Sequence, residues 1–316
     1  MINAKEKFFD RFDQTFKIFK NNFIQLFLPM FLYKFIAVVV LWTFLVVFFF
    51  SNLWDIANWT FDLFNLVFNS FVIMSIIVWL VLLLLYLILY IPIYIWLIRS
   101  IKQAVEWEEI TTMDNLIFGF NRIFASFKTY WYIFSYVALI PALLFISWWL
   151  LFNAWYYYES YAYLKEIWWV VMIFSVILFI IFAIYRWIKA TFPIYSAVNH
   201  DNFSKVDFLN SVNITDNQWW RILWNTALAW MIIWFAVSMV SNILKVFSYS
   251  WIDFASIKSL DDVLAITSNI TIYSQILSGF LNNIFSTIGT VFIIIFVYLL
   301  FLRLKFESNP SRNLEL

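Results

Sequence analysis

Three apolar stretches of this 316-residue chain end in paired cations: Arg99-Ser-Ile-Lys102, Arg186-Trp-Ile-Lys189 and Arg303-Leu-Lys305. Cations at the edge of an apolar segment attract anionic phospholipid headgroups, at about 1 kcal/mol per basic residue near an anionic surface. The same residues also signal that a loop stays on the cytoplasmic side of a membrane. Two readings stay open: topology alone, or a headgroup site built from Arg99, Lys102, Arg186 and Lys189, with Arg303 and Lys305 ending the last stretch.

A second polar group lies within the last apolar stretch. Ser278, Asn282 and Ser286 recur at i, i+4 and i+8, and Gly279, Asn283, Thr287 and Thr290 line the neighbouring face. The preceding stretch offers Asn225, Thr226, Ser238, Ser241 and Asn242 as partners. Small and amide-bearing residues let helices approach and hydrogen-bond in lipid. The residues favour interhelical packing, with a polar ligand pocket as the alternative. Lys34 is the one clear charge inside an apolar stretch, and its long stem can snorkel to the headgroups.

Catalytic chemistry finds little to work with. His200-Asp201 is a His–Asp pair, but such a pair needs a nucleophile or metal beside it, and none is evident. The chain has no cysteine and one histidine, which excludes thiol catalysis, Cys-ligated metals and multi-His sites. With three glycines and no P-loop or HExxH pattern, a phosphate cradle or zincin site is not expected. No catalytic residue, metal or cofactor is assigned. Nucleic acid is not an expected partner, because no basic domain stands outside the apolar stretches.

The elements that hold these residues are membrane spans. Phe71–Ile98 runs 28 residues without a charge, about 42 Å as a helix, longer than the roughly 30 Å hydrocarbon core of a bilayer. Only 12% of the chain is charged, about half the share of a soluble domain. Spans are expected near Pro29–Phe50, Phe71–Ile98, Tyr130–Phe152, Ile167–Tyr185, Trp220–Val246 and Ile276–Leu302. Sixteen Lys and Arg then fall on one side and three on the other, so both termini are expected to be cytoplasmic. Trp155-Tyr156-Tyr157-Tyr158 suits an aromatic belt on the opposite side. The first twenty residues lack a cleavable signal pattern. Abundant Phe, Ile, Asn and Lys suit an AT-rich bacterial genome, so a bacterial cytoplasmic membrane is the expected location.

The cytoplasmic connections repeat. Phe12, Phe16, Phe19 and Phe23 fall on one helical face. Phe120, Phe124, Phe127 and Trp131 repeat them 108 residues later, and Phe208, Val212 and Trp219 make a decayed third copy. The expected fold class is an all-α integral membrane protein. It has about six transmembrane helices plus interfacial amphipathic helices, in three tandem units of one amphipathic helix and two spans. The units run approximately over 4–105, 106–190 and 191–305 of a single membrane domain, 1–316, with a cytoplasmic tail at 306–316. Ser259-Leu-Asp-Asp262 is expected to start an outer helix running into the last span.

The stretch YRWIKATFPIYSAVNHDNFSKVDFLNSVNITDNQWWRILWNTALAW, Tyr185 to Trp230, resembles the membrane domain of bacterial glycerophosphodiester phosphodiesterases and related uncharacterised multi-pass proteins. YLLFLRLKFE at 298–307 and FKIFKNNF near the start are similar to that family's terminal and opening segments. The chain departs in its low Gly and Ala content, and in His200-Asp201 where an acid-glycine turn is more typical. It carries no phosphodiesterase domain, so the resemblance implies an architecture and a link to lipids or the envelope without the enzyme's activity. The expected function is therefore a non-enzymatic lipid-interacting or scaffold module. Its partners would be membrane lipids, anionic phospholipids among them, or a membrane protein. The alternative is a transporter or channel for a small solute.

Overall fold

In the computed structural model, residues 7–57, 70–139, 142–143, 146–150, 162–201, 203–249 and 260–308 are described. Their regular structure is helical throughout. In lipid every backbone N–H and C=O needs an internal partner, and a helix supplies those partners within one segment. The longer helices are α1 (Phe8–Asn21), α2 (Phe23–Ala57), α3 (Ser70–Glu106), α4 (Thr112–Asn121) and α5 (Ile123–Phe134), which a π turn at Ser135–Leu139 extends. Next come α6 (Ala162–Lys189), the short α7 (Pro193–Asn199), α8 (Lys205–Thr215), α9 (Trp219–Tyr249) and α10 (Leu260–Ser308).

Five helices among the described residues are long and apolar enough to cross a bilayer, at Phe23–Val40, Ile88–Glu106, Ile173–Asn199, Trp219–Ile243 and Gly279–Ser308. They correspond to five of the six expected spans. The sixth expectation, Tyr130–Phe152, is described only in part. The Trp155–Tyr158 run and Ser259 lie outside the described residues. From Leu260 onward α10 runs unbroken for 49 residues.

Helix ends differ from the expected span ends for local reasons. No Gly or Pro interrupts Arg99–Glu106, so α3 continues eight residues past Ile98. It stops where Trp107 turns left-handed at φ 60° and the Glu108 N–H reaches back to the Gln103 carbonyl at 2.9 Å. That is a Schellman end, built without the usual glycine. Asp201 and Asn217 take the same left-handed geometry after α7 and α8.

The Cα packing gathers the chain into two compact units, each assembled from separated stretches. One comprises Thr15–Phe120 and Trp230–Ile295. Within it α2 packs on α3, where Tyr33 stacks on Tyr86 with ring centroids 4.4 Å apart and contacts Tyr90. The buried Asn115 of α4 ties back to α3, donating to Gln103 Oε1 at 2.6 Å and to Ser100 Oγ at 3.1 Å. One turn further on, Gly119 permits a close backbone crossing. A Cβ there would sit 2.3 Å from the Pro92 carbonyl oxygen.

The other unit comprises Met1–Gln14, Asn121–Ala229 and Phe296–Leu316. Phe192 and Tyr195 of the α7 segment pack on Tyr298 and Phe301 of α10. Phe208 of α8 packs on Tyr132 and Tyr136.

The short helices bury their small or polar face. Thr15 in α1, Asn115 and Gly119 in α4, Ser126 and Thr129 in α5, and Ser211 and Thr215 in α8 are all buried. The expected aromatic stripe mostly faces away: Phe124 is 84% exposed, Trp131 61% and Phe16 54%. Phe19 and Phe208 are the exceptions and are buried. Breaks at Asn22 and Arg122 interrupt the stripe, so Phe23 belongs to α2 and Phe124 to α5. At the first break the Asn22 carboxamide donates to the Ile18 carbonyl at 3.1 Å, a local bond that competes with the helical ladder.

Gly119→Ala is expected to lower stability by about 2 kcal/mol or more, because the obstacle is backbone. Gly289→Ala meets side chains rather than backbone, Ile233 at 2.7 Å and Val237 at 3.5 Å, and should lower it less. Thermal unfolding of both variants in detergent checks the order; equal effects would contradict the close crossing.

Candidate functional site

Ser286 and Thr290 lie one turn apart on α10, and their hydroxyls fix the Lys34 ammonium. It donates to Ser286 Oγ at 2.7 Å and to Thr290 Oγ1 at 3.3 Å. Among the described residues these two hydroxyls are the hydrogen-bond partners of the ammonium. No carboxylate among the described residues pairs with it. The lysine borders an open cleft of about 350 Å³ lined also by Ala37, Val38, Gly279, Asn282, Asn283 and Ser286. Small residues at 37 and 279 leave the space, and the amides and hydroxyl make its wall polar.

Of the polar set expected to act together, Asn282, Asn283 and Ser286 meet at this cleft. Asn225 belongs to the other unit. There it accepts from Arg11 Nη1 at 3.0 Å and donates to the Arg221 carbonyl at 2.7 Å. The side chain of Ser278 lies outside the described ones.

The basic residues expected at the span ends each meet a protein partner, although Arg99 and Lys102 lie within α3 rather than at its end. Arg99 sits 3.7 Å over the Phe118 ring. Arg186 lies over both the Tyr136 and Phe182 rings, 4.7 Å from each centroid, and donates to the Tyr136 carbonyl at 2.9 Å. Lys189 forms an ion pair with Asp216. The mostly buried Arg303 donates to Glu307 Oε1 at 2.8 Å, and Arg221 clamps the same carboxylate with contacts of 2.6 and 3.2 Å. Two guanidiniums on one carboxylate leave a net positive charge. Lys102 also has interactions within the protein.

His200 pairs with Asp207 rather than with its sequence neighbour Asp201. Its Nδ1 lies 3.1 Å from Asp207 Oδ1 and its Nε2 3.1 Å from Lys305 Nζ. An ammonium has only donors, so Nε2 accepts and the Nδ1–H donates to the carboxylate. Ser204 Oγ donates to the other oxygen of Asp207 at 2.6 Å, and accepts from the Asp207 N–H as the α8 cap. Hydroxyl and imidazole thus share one carboxylate. A nucleophile–base pair instead requires the hydroxyl on the imidazole. Among the described residues no three His, Asp or Glu side chains gather as a metal site.

Sequence reasoning passed over Asp207 and the placement of Arg11, and took in Glu307 only as part of the segment at 298–307 that resembles the family's terminal one. Glu307 stands four residues after Arg303 on one helix, a spacing that could have flagged the pair. Arg11, one of the sixteen cations on the expected cytoplasmic side, is buried against the Phe296 ring at 5.3 Å. A charge 214 residues from its hydrogen-bond partner leaves no local signal.

No protein-family model, no curated protein and no solved structure matches this chain.

Glu307→Gln removes the charge that Arg221 and Arg303 share. Stability is expected to fall by about 1–2 kcal/mol, the range for a partly buried pair that loses one partner. Thermal unfolding checks this, and an unchanged midpoint would mean that the cluster contributes nothing.

Proposed function

We propose that this chain is a non-enzymatic polytopic membrane protein that engages lipids through helices lying in the cytoplasmic interface. In this reading it crosses a bacterial cytoplasmic membrane six times with both termini inside. The observation that carries the proposal is the outward aromatic face of α5 above its buried Ser126 and Thr129. A helix that turns small polar groups inward and aromatics outward suits the boundary between headgroups and acyl chains.

The basic helix ends support the same reading. Arg99, Lys102, Arg186, Lys189, Arg303 and Lys305 make contacts within the protein, but the charge surplus around Glu307 still attracts anionic headgroups. A membrane protein partner is the other occupant this surface would suit. The resemblance to the membrane domain of glycerophosphodiester phosphodiesterases points the same way, toward the envelope. Three tandem units belong to the proposal too, and the burial of Thr15, Asn115 and Thr215, each 100 residues from the next, supports them.

Because the chain has no cysteine, single spin labels report positions without background. Labels at Phe124, Phe127 and Trp131 in nanodiscs should be accessible to oxygen and shielded from a water-soluble nickel complex. A label at the exposed Asp13 should show the reverse. Nickel access at Phe124 and Trp131 equal to that at Asp13 would overturn the interfacial placement.

A second reading, a transporter or channel for a small solute, draws on the cleft at Lys34. Flux in proteoliposomes tests it, and flux no greater than in protein-free vesicles for any solute tried would remove it.

A further inference from the structure

We propose that the cleft at Lys34 binds a singly charged oxyanion of the phosphate or phosphodiester type. The inference stands apart from the interfacial-helix reading and uses none of its residues.

Charge comes first. Lys34 lies eleven residues into α2, roughly 16 Å along the helix from Phe23, within an apolar candidate span. A lysine at such a depth costs about 2.5–3.5 kcal/mol even on the most lenient scale. Here the ammonium has two hydroxyl partners and no carboxylate among the described residues. Hydroxyls satisfy hydrogen bonds but leave the charge uncompensated, so the site favours a counter-anion.

Donor supply comes second. An ammonium has three protons, and Ser286 and Thr290 take two of them. The Asn282 and Asn283 carboxamides have no hydrogen-bond partner among the described residues, although both line the cleft. The Ser286 hydroxyl accepts from Lys34 and has no acceptor for its own proton among those residues. One ammonium proton, two amide groups and one hydroxyl thus converge on one space without an acid among its lining residues. That set suits an ion with several acceptor oxygens and a single negative charge. A phosphodiester or dihydrogen phosphate has both properties. A volume of about 350 Å³ lies at the small end of ligand sites and accepts a headgroup-sized ion.

The ion has two sources, a lipid headgroup or free phosphate, and the test separates them. The full chain is reconstituted in phosphatidylcholine nanodiscs with added inorganic phosphate, and in nanodiscs doped with phosphatidylglycerol. Bound ligand is read by native mass spectrometry and titration calorimetry. Wild type is expected to bind one equivalent. Lys34→Met should weaken binding at least about tenfold, as expected when the only opposite charge is removed, while Lys34→Arg should retain it. Retention of phosphatidylglycerol without phosphate binding assigns the site to a lipid headgroup. Phosphate binding in phosphatidylcholine assigns it to the free ion. If Lys34→Met yields no folded protein, the Asn282→Ala/Asn283→Ala double variant decides, with several-fold weaker binding expected. Wild type that binds neither probe would overturn the proposal, as would unchanged binding in Lys34→Met or, where that variant does not fold, in the double variant.

Discussion

A lipid surround inverts the usual rule for which side of a helix is buried. In water an amphipathic helix hides its apolar stripe. Here α5 presents Phe124 and Trp131 outward and packs Ser126 and Thr129 inward. Lipid tails are as apolar as leucine, so apolar burial gives no advantage between helices. Close approach and hydrogen bonds decide instead. That constraint explains why Asn115 is the buried link between α4 and α3. It also explains why Gly119, one turn away, touches the backbone at Pro92.

The same constraint governs charge. A cation near or within an apolar layer must find a partner that lowers its cost, and the chain supplies several kinds. Arg99 and Arg186 use aromatic faces, Lys189 uses Asp216, and Arg221 and Arg303 share Glu307. Guanidinium suits the ring-stacked and bidentate positions because it is planar and weakly hydrated. Among the described residues Lys34 has hydroxyls alone, which sets it apart from Arg99, Arg186, Lys189, Arg221 and Arg303. Residues expected from the sequence as topology signals thus also have structural partners.

Apolar length and the local order of basic residues were legible in the sequence, because hydropathy and charge order are read residue by residue; that Arg99 and Lys102 lie within α3 and not at its end was not. The all-helical class followed from them. Partner choice was not legible. Arg11 with Asn225, Lys34 with Ser286 and Arg221 with Glu307 are separated by 214, 252 and 86 residues, and no local pattern encodes such pairs. His200 shows the same limit at short range. Adjacency suggested Asp201, but the left-handed turn at Asp201 separates the neighbours, and the cap of α8 delivers Asp207 instead.

The two registers in the short helices carry a physical lesson about reading repeats in such chains. The aromatic stripe recurs at 108 residues, from Phe12 to Phe120. The buried positions Thr15, Asn115 and Thr215, and the breaks at Asn22 and Arg122, recur at 100. An aromatic facing lipid needs only to be apolar, so its exact position along the face is weakly constrained. A small residue at a helix crossing has no such latitude, since one extra carbon meets backbone, as at Gly119. Packing register is therefore held by Thr, Ser, Asn and Gly, residue types that a hydropathy profile passes over. In a chain with 39 phenylalanines, the loudest periodic signal belongs to the exposed side, and the quieter one marks where the helices touch.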